Sequence, residues 1–407
     1  MKKHLIVAAG VAILSTSAFA TKARMQALGQ STETGSFYLS DTRNVWSNPA
    51  EINNTKDYVV LEVGSANIDA TQDVGAEGGF FKEIGNFTAG IYYGNRNKAN
   101  NVLRAGEAFE TVNPYRALAE LYDNDGVNTG QANFLTEGNG VDLFIGGDAG
   151  IQWGAHLNYM TNTLEKNALA SASSTQAGIN NFEKETESLG LDFGVIAGDI
   201  NAWLNMNLKD ESKGGSVVKD SWEADKGLDL GAGYALGNGM SVTVNYVKSG
   251  FSYKPAGVET TTGETSSFAV NFAKVWEMSS NGRVFGAFDY TRSTAEITDK
   301  TSGGKKYKLE VVSPIATFGF EADANSWLTL RGSFEGGIGL PGLAIRSLEV
   351  THDTVKGDTS FARTAVSVNT GATLNFGKLK IDGTIGTTGG TLKLDTLLSN
   401  VSMHYWF

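Results

Sequence analysis

Few residues in this 407-residue chain have the types and spacing that chemistry needs. The run Gly231 to Gly237, GAGYALG, has the composition of a phosphate cradle. Dinucleotide binding, however, needs glycines at fixed offsets between a strand and a helix, and this run lies inside an alternating pattern with the wrong spacing. Asp123-Asn124-Asp125-Gly126 offers oxygen ligands, but lacks the glycine at the sixth position and the closing glutamate of an EF-hand loop. His156, His352 and His404 are too scattered to bind a metal together. His352 beside Asp353 is the one pair with the composition of a base and its orienter. These exclusions predict no catalytic centre, no cofactor and no metal site.

The remaining candidates are charged side chains set singly into alternating apolar segments. IQWGAHLNY puts Ile151, Trp153, Ala155, Leu157 and Tyr159 on one face, against Gln152, Gly154, His156 and Asn158 on the other. MSVTVNYV and VSVNTGATLNF, starting at Met240 and Val366, repeat the pattern. A strand points successive side chains to opposite faces, so each segment has one apolar and one polar side. If the apolar side meets lipid, the other parity is a lumen carrying Asp142, Asp148, Asp192, Asp229, Asp289, Arg283, Arg331, Glu335, His156 and His404. Such groups need water or partners. Rings of charge of this kind shape ion selectivity in pores.

The spacing predicts sixteen strands, near 57–68, 75–84, 86–94, 140–148, 151–160, 186–198, 200–209, 226–236, 240–252, 264–278, 282–297, 305–321, 325–338, 360–376, 378–386 and 396–407, with fourteen as the alternative count. Every second connection is tight, among them EIGN, GDAG, GDIN, LGNG and FGKL. The connections between them are long and polar, notably 95–139, 161–185, 209–225 and 339–359. Short turns on one side and long loops on the other are the signature of an all-β, antiparallel up-and-down transmembrane barrel. An even strand number returns the last strand to the side where the first begins.

Both ends agree with export to a bacterial envelope. Residues 1–20 carry two lysines, an apolar stretch from Leu5 to Leu14 and Ala18-Phe19-Ala20, the layout of a signal peptide. Without it the chain has 31 basic against 44 acidic residues, a net charge of −13, which disfavours nucleic acid. There is no cysteine for a disulfide framework. The C-terminus alternates Val401, Met403, Tyr405 and Phe407 with polar residues. This run resembles the C-terminal signature of bacterial outer-membrane barrels, which implies that the barrel-assembly machinery reads the last strand.

Residues 21–56 lack sustained alternation. Leu28-Gly29, Asp41, Asn44-Val45 and Asn48-Pro49-Ala50 follow one another in an order that resembles the N-terminal hatch of the outer-membrane long-chain fatty-acid transporter family. The resemblance implies a plug folded inside the barrel (57–407) and hydrophobic substrates that leave through the wall. A periplasmic arm packed under the rim is the alternative. The 95–139 connection, with Asn113-Pro114 as a helix start, is expected either to constrict the pore or to cap its mouth.

Three functions are consistent with these residues. One is a channel for passive uptake of small molecules, hydrophobic compounds among them, gated by the plug. The second is a diffusion porin, mildly cation-preferring and narrowed by the 95–139 loop, either a monomer or a homotrimer. The third is a structural or adhesive barrel. All three have outer-membrane lipid as a partner, and the first two have small-molecule solutes.

Overall fold

The computed structural model describes residues 21–63, 76–95, 139–166, 182–215, 219–254, 257–279, 282–300, 303–337, 346–350, 356–358, 366–386 and 397–407. The expected leader, residues 96–138 of the longest connection and His352 lie outside the described residues. Among those described, nineteen strands form one sheet. In chain order they begin β1 (Tyr58–Val63), β2 (Ala76–Ile84), β3 (Phe87–Tyr93), β4 (Asn139–Asp148), β5 (Gln152–Lys166), β6 (Phe182–Ala197) and β7 (Ile200–Gly215). There follow β8 (Lys219–Ala224), β9 (Gly227–Gly237), β10 (Met240–Lys254), β11 (Thr261–Ser279), β12 (Gly282–Asp299) and β13 (Lys305–Asn325). The last are β14 (Leu328–Gly337), β15 (Arg346–Val350), β16 (Lys356–Asp358), β17 (Val366–Phe376), β18 (Leu379–Gly386) and β19 (Leu397–Trp406).

β8 continues the line of β9, because both pair with β7 and β10. β15 and β16 form a hairpin on the end of β13 remote from its tight turn. The closed wall therefore has sixteen strands, all antiparallel. β1 closes it against β19, with Tyr58 opposite Trp406 and Val63 opposite Val401. The last residue stays in the wall: the Phe407 N–H donates to Asp57 O at 3.1 Å and its ring stacks on Phe80 at 5.4 Å. At the tight turns, Gly85 (φ 64°) and Asn238 (φ 52°) take the left-handed conformation that reversal requires.

The outward parity leaves Leu61, Phe80, Leu143, Phe193, Phe272 and Phe320 exposed, each on a different strand. An apolar belt of that extent has no place in water, and around a closed barrel it is the lipid face. Crossing a bilayer takes about 9–11 strand residues, yet β11, β12 and β13 have 19, 18 and 21. Their outer halves carry cross-strand ion pairs, Lys248–Glu264 at 2.8 Å, Arg292–Glu310 at 2.9 Å and Lys306–Glu296 at 2.7 Å. This explains why β5, β6 and β7 run well into the connections expected at 161–185 and 209–225. Outside the membrane a strand need not be apolar on either face, so its hydropathy signal ends before its hydrogen-bond ladder does.

Residues 21–57 form no wall strand. Helix α1 (Lys22–Ala27) is capped by Thr21, whose side chain accepts from the Arg24 N–H, and Gly29 (φ 65°) ends the turn after it. Two 3-10 turns follow, Thr42–Trp46 capped by Asp41 and Pro49–Asn53 capped by Asn48, with Pro49 at the first helical position. Short capped turns suit a segment that must bend repeatedly against a curved wall.

Candidate functional site

The segment lies against the inner face of the barrel. Arg24 is completely buried there. Its Nε and Nη2 donate to Glu321 of β13 at 2.8 and 3.2 Å, and its Nη1 donates to Asp41 at 2.6 Å and to Ser40 O at 3.0 Å. Glu321 also receives Arg283 at 2.8 Å and Arg331 at 3.1 Å, while Arg331 reaches Asp382 of β18 at 2.8 Å. Thr21 Oγ1 donates to Asp382 as well, at 3.2 Å. Burial pulls the Arg24 guanidinium down, but Glu321 and Asp41 more than offset it and hold the group above its ordinary range. A buried charge network of this kind has one working geometry, so it fixes where the segment sits.

A second cluster holds the other flank. Lys22 Nζ meets Glu77 of β2 at 2.6 Å, and the Lys22 N–H donates to Glu62 of β1 at 2.7 Å. Arg43 Nη1 lies 3.7 Å from both Glu62 and Glu77, with its guanidinium 4.9 Å from the Trp46 ring. Trp46 meets Tyr92, Phe144 and His156 edge-on at 5.1, 5.1 and 5.3 Å. His156 Nδ1 and Nε2 are bonded to Asp192 and Asp142 at 2.6 and 2.9 Å.

The residues singled out in the segment each have a local task. Leu28 packs with Met25, Leu39 and Phe285. A Cβ on Gly29 would stand 2.9 Å from Ser333 Oγ. Asp41 and Asn48 are the caps already described. Asn44 accepts from the Ser36 N–H at 2.9 Å and donates to Leu39 O at 3.0 Å, closing the loop between α1 and the first 3-10 turn. Asn48 donates to Asn201 at 2.5 Å and to Val195 O and Ala202 O at 3.3 Å. The Pro49-Ala50 turn reaches the wall because the wall is bare there. A Cβ on Gly154 would lie 2.2 Å from Pro49 O, and one on Gly194 would collide with Asn48.

Of the ten expected lumen residues, Asp142, Asp192, Asp229, Asp289, Arg283, Arg331 and Glu335 are on the inward parity and divide into two environments. Asp142 and Arg331 are almost fully buried and Arg283 is paired with Glu321, so these do not line open water as a hydrated interior would have them. Asp229, Asp289 and Glu335 keep partial exposure. Asp229 accepts from Trp203 Nε1 at 3.1 Å and Asn245 Nδ2 at 2.7 Å, and Asp289 accepts from Asn271. Tyr38, on the segment, faces the same region 5.7 Å from Phe285. Burial first, then the charge of Asp289 and Glu335, hold its phenol above the ordinary value, although a bond from Gln30 opposes this. Asp148 is a turn residue, accepting from the Gly150 N–H at 2.8 Å. His404 is buried against Trp406 and Tyr58, with ring centroids 4.1 and 4.6 Å away.

Sequence reasoning missed Arg24, Arg43, Glu62, Glu77, Glu321 and Asp382. Glu62, Glu77, Glu321 and Asp382 carry a usable signal, since each falls on the lumen parity of a strand expected from the sequence. Arg24 carries a weaker one, as the sole charge between Ala23 and Leu28. Nothing local marks it as a partner for a residue 297 positions away.

No family model matches the chain, and no curated protein does. Among solved structures the chain is similar to the toluene transporter TodX of Pseudomonas putida, at 12% identity over 93% of this chain and 94% of that one, with a TM-score of 0.35. It is similar to OmpT, an outer membrane protein of Vibrio cholerae, at 8% identity over 86% and 95%, with a TM-score of 0.34. The FrpB iron transporter of Neisseria meningitidis aligns at 9% identity over 84% of this chain, with a TM-score of 0.35, and the chain spans 63% of that protein's length.

Proposed function

We propose that the protein is an outer-membrane channel for passive uptake of small molecules, with its lumen narrowed by residues 21–56. The observation that carries this reading is the junction of Arg24 with Asp41, Glu321 and, through Glu321, Arg283 and Arg331. It couples the segment to the wall through a buried guanidinium whose wall partner, Glu321, is itself held in place by two wall arginines. The order of Leu28-Gly29, Asp41, Asn44 and Asn48-Pro49-Ala50 resembles the fatty-acid transporter hatch and supports the same reading, with hydrophobic compounds as one class of solute. The apolar belt supports a place in lipid, and Val401, Met403, Tyr405 and Phe407 support handling by the barrel-assembly machinery.

The alternative of a diffusion porin draws on the partial exposure of Asp229, Asp289 and Glu335, which leaves room for water on one side of the lumen. Single-channel conductance in planar bilayers separates the two readings, comparing the chain from Thr21 with a variant lacking residues 21–50. A plug predicts a severalfold rise in conductance on deletion. Equal, stable openings in both proteins would overturn it in favour of the porin.

A further inference from the structure

The segment does not cover the wall evenly. Its hydrogen bonds and ion pairs reach β13, β14, β18 and β19 on one side and β1, β2, β5, β6 and β7 on the other. β9 and β10 lie outside that set, and β11 and β12 meet the segment through Val275 and Phe285. The lumen next to β9–β12 is where inward side chains keep their exposure.

The unpaired charged groups of this sector are carboxylates. Asp229 and Asp289 receive hydrogen bonds only from neutral donors, an indole and three amides, and among the described residues no cation pairs with them or with Glu335. The arginines are committed elsewhere: Arg24, Arg283 and Arg331 to Glu321, and Arg43 to Glu62 and Glu77. Two side-chain carbonyl oxygens of the region, Asn205 Oδ1 and Asn271 Oδ1, are buried without a donor. Their orientations are set by the opposite ends of the amides, which donate to Ser47 O and to Asp289. A buried acceptor left unpaired costs about 1–3 kcal/mol, and the carboxylates beside these oxygens have no cation to offset them. At its edge Phe37 is 41% exposed and stacks on Trp203, ring centroids 5.0 Å apart, beside the indole N–H that holds Asp229.

We infer that solutes pass between the segment and β9–β12, and that this passage selects small organic cations, primary amines with an apolar body. The ammonium supplies hydrogen-bond donors to Asp229, Asp289 and Glu335, and the apolar body slides past the exposed Phe37. The inference rests on the channel reading and adds a solute class to it.

The test measures reversal potential across a tenfold KCl gradient for the chain from Thr21, with 2-phenylethylammonium and the neutral 2-phenylethanol as blockers. Focusing by uncompensated carboxylates predicts a preference for K⁺ over Cl⁻ of about tenfold, with block by the amine and none by the alcohol. Asp229→Asn/Asp289→Asn/Glu335→Gln should bring the preference close to unity and abolish the block. Asp289→Asn alone, nearly isosteric, should move the potential in the same direction and guards against a triple variant that fails to assemble. A current that is unselective or anion-selective, or unchanged in both variants, overturns the inference. So does a chain that conducts only after residues 21–50 are deleted, an outcome that leaves the plug standing. Cation selectivity that depends on these carboxylates, with equal conductance before and after deletion, removes the plug and keeps the selectivity.

Discussion

Replacing Arg24 with alanine should free the segment while leaving the barrel intact. The side chain is wholly buried and makes two bonds to Glu321, one to Asp41 and one to Ser40 O. Removing one partner of a buried ion pair costs about 3–5 kcal/mol. Glu321 keeps Arg283 and Arg331, so the group left stranded is Asp41, which then keeps the Arg43 N–H at 2.7 Å as a donor. Burial already pushes that carboxyl up against the opposing pull of Arg24. The lower bound therefore applies, about 3 kcal/mol, which is roughly a hundredfold in the seating equilibrium. In bilayers the larger-conductance state should appear roughly a hundred times more often than in the parent. Adding Asp41→Asn should recover part of the loss, giving a coupling of about 1 kcal/mol or more in the double-mutant cycle. Heat-modifiable migration on gels checks that the barrel has formed. A folded Arg24→Ala barrel with the parent's closed times would refute the argument that these charges seat the segment.

Other expected outcomes are simpler to read. Gly154→Ala places a Cβ 2.2 Å from Pro49 O and should expose the segment to protease, whereas Gly190→Ala, with its nearest neighbour 3.6 Å away, should not. Deleting Phe407 removes its stacking on Phe80 and its bond to Asp57 O, and should reduce the amount of assembled barrel at the cell surface; normal levels would count against the wall role of that residue. Glu321→Gln leaves Arg24, Arg283 and Arg331 without their shared charge, and should raise the frequency of the larger-conductance state at least as much as Arg24→Ala.

The barrel was legible in the sequence because a lipid-facing wall imposes a period of two on every strand. Trp153, Leu157 and Tyr159 could fall only on one face, and the short turns around Gly85 and Asn238 set where strands end. The strands beyond the membrane were less legible, since Lys248, Glu264, Arg292 and Glu310 pair across strands without any apolar face to mark them. The wall side of the interior follows from parity, and Asp142 and Arg331 are buried on it. Their surroundings do not follow from it, because exposure in a lumen depends on what else occupies it. The segment's own contacts were the least visible: Arg24 meets Glu321 through a fold that must exist before the pair can form. Even the bare patch at Gly154 and Gly194 reads in sequence as ordinary strand glycine, and acquires its meaning only from Asn48 and Pro49 resting on it.

The partners of α1 also set an order of events. Glu321, Ser333 and Asp382 belong to β13, β14 and β18, and the seam that closes the wall needs β19. The part of the chain made first therefore has no place to settle until nearly all the rest has been delivered and curled into a ring. Until then Arg24 and Arg43 stay in water, where they cost nothing to keep charged. Contacts so distant along the chain form slowly. The interior is thus filled only once there is an interior, and an abandoned or truncated wall would be left with its basic N-terminal segment hanging free.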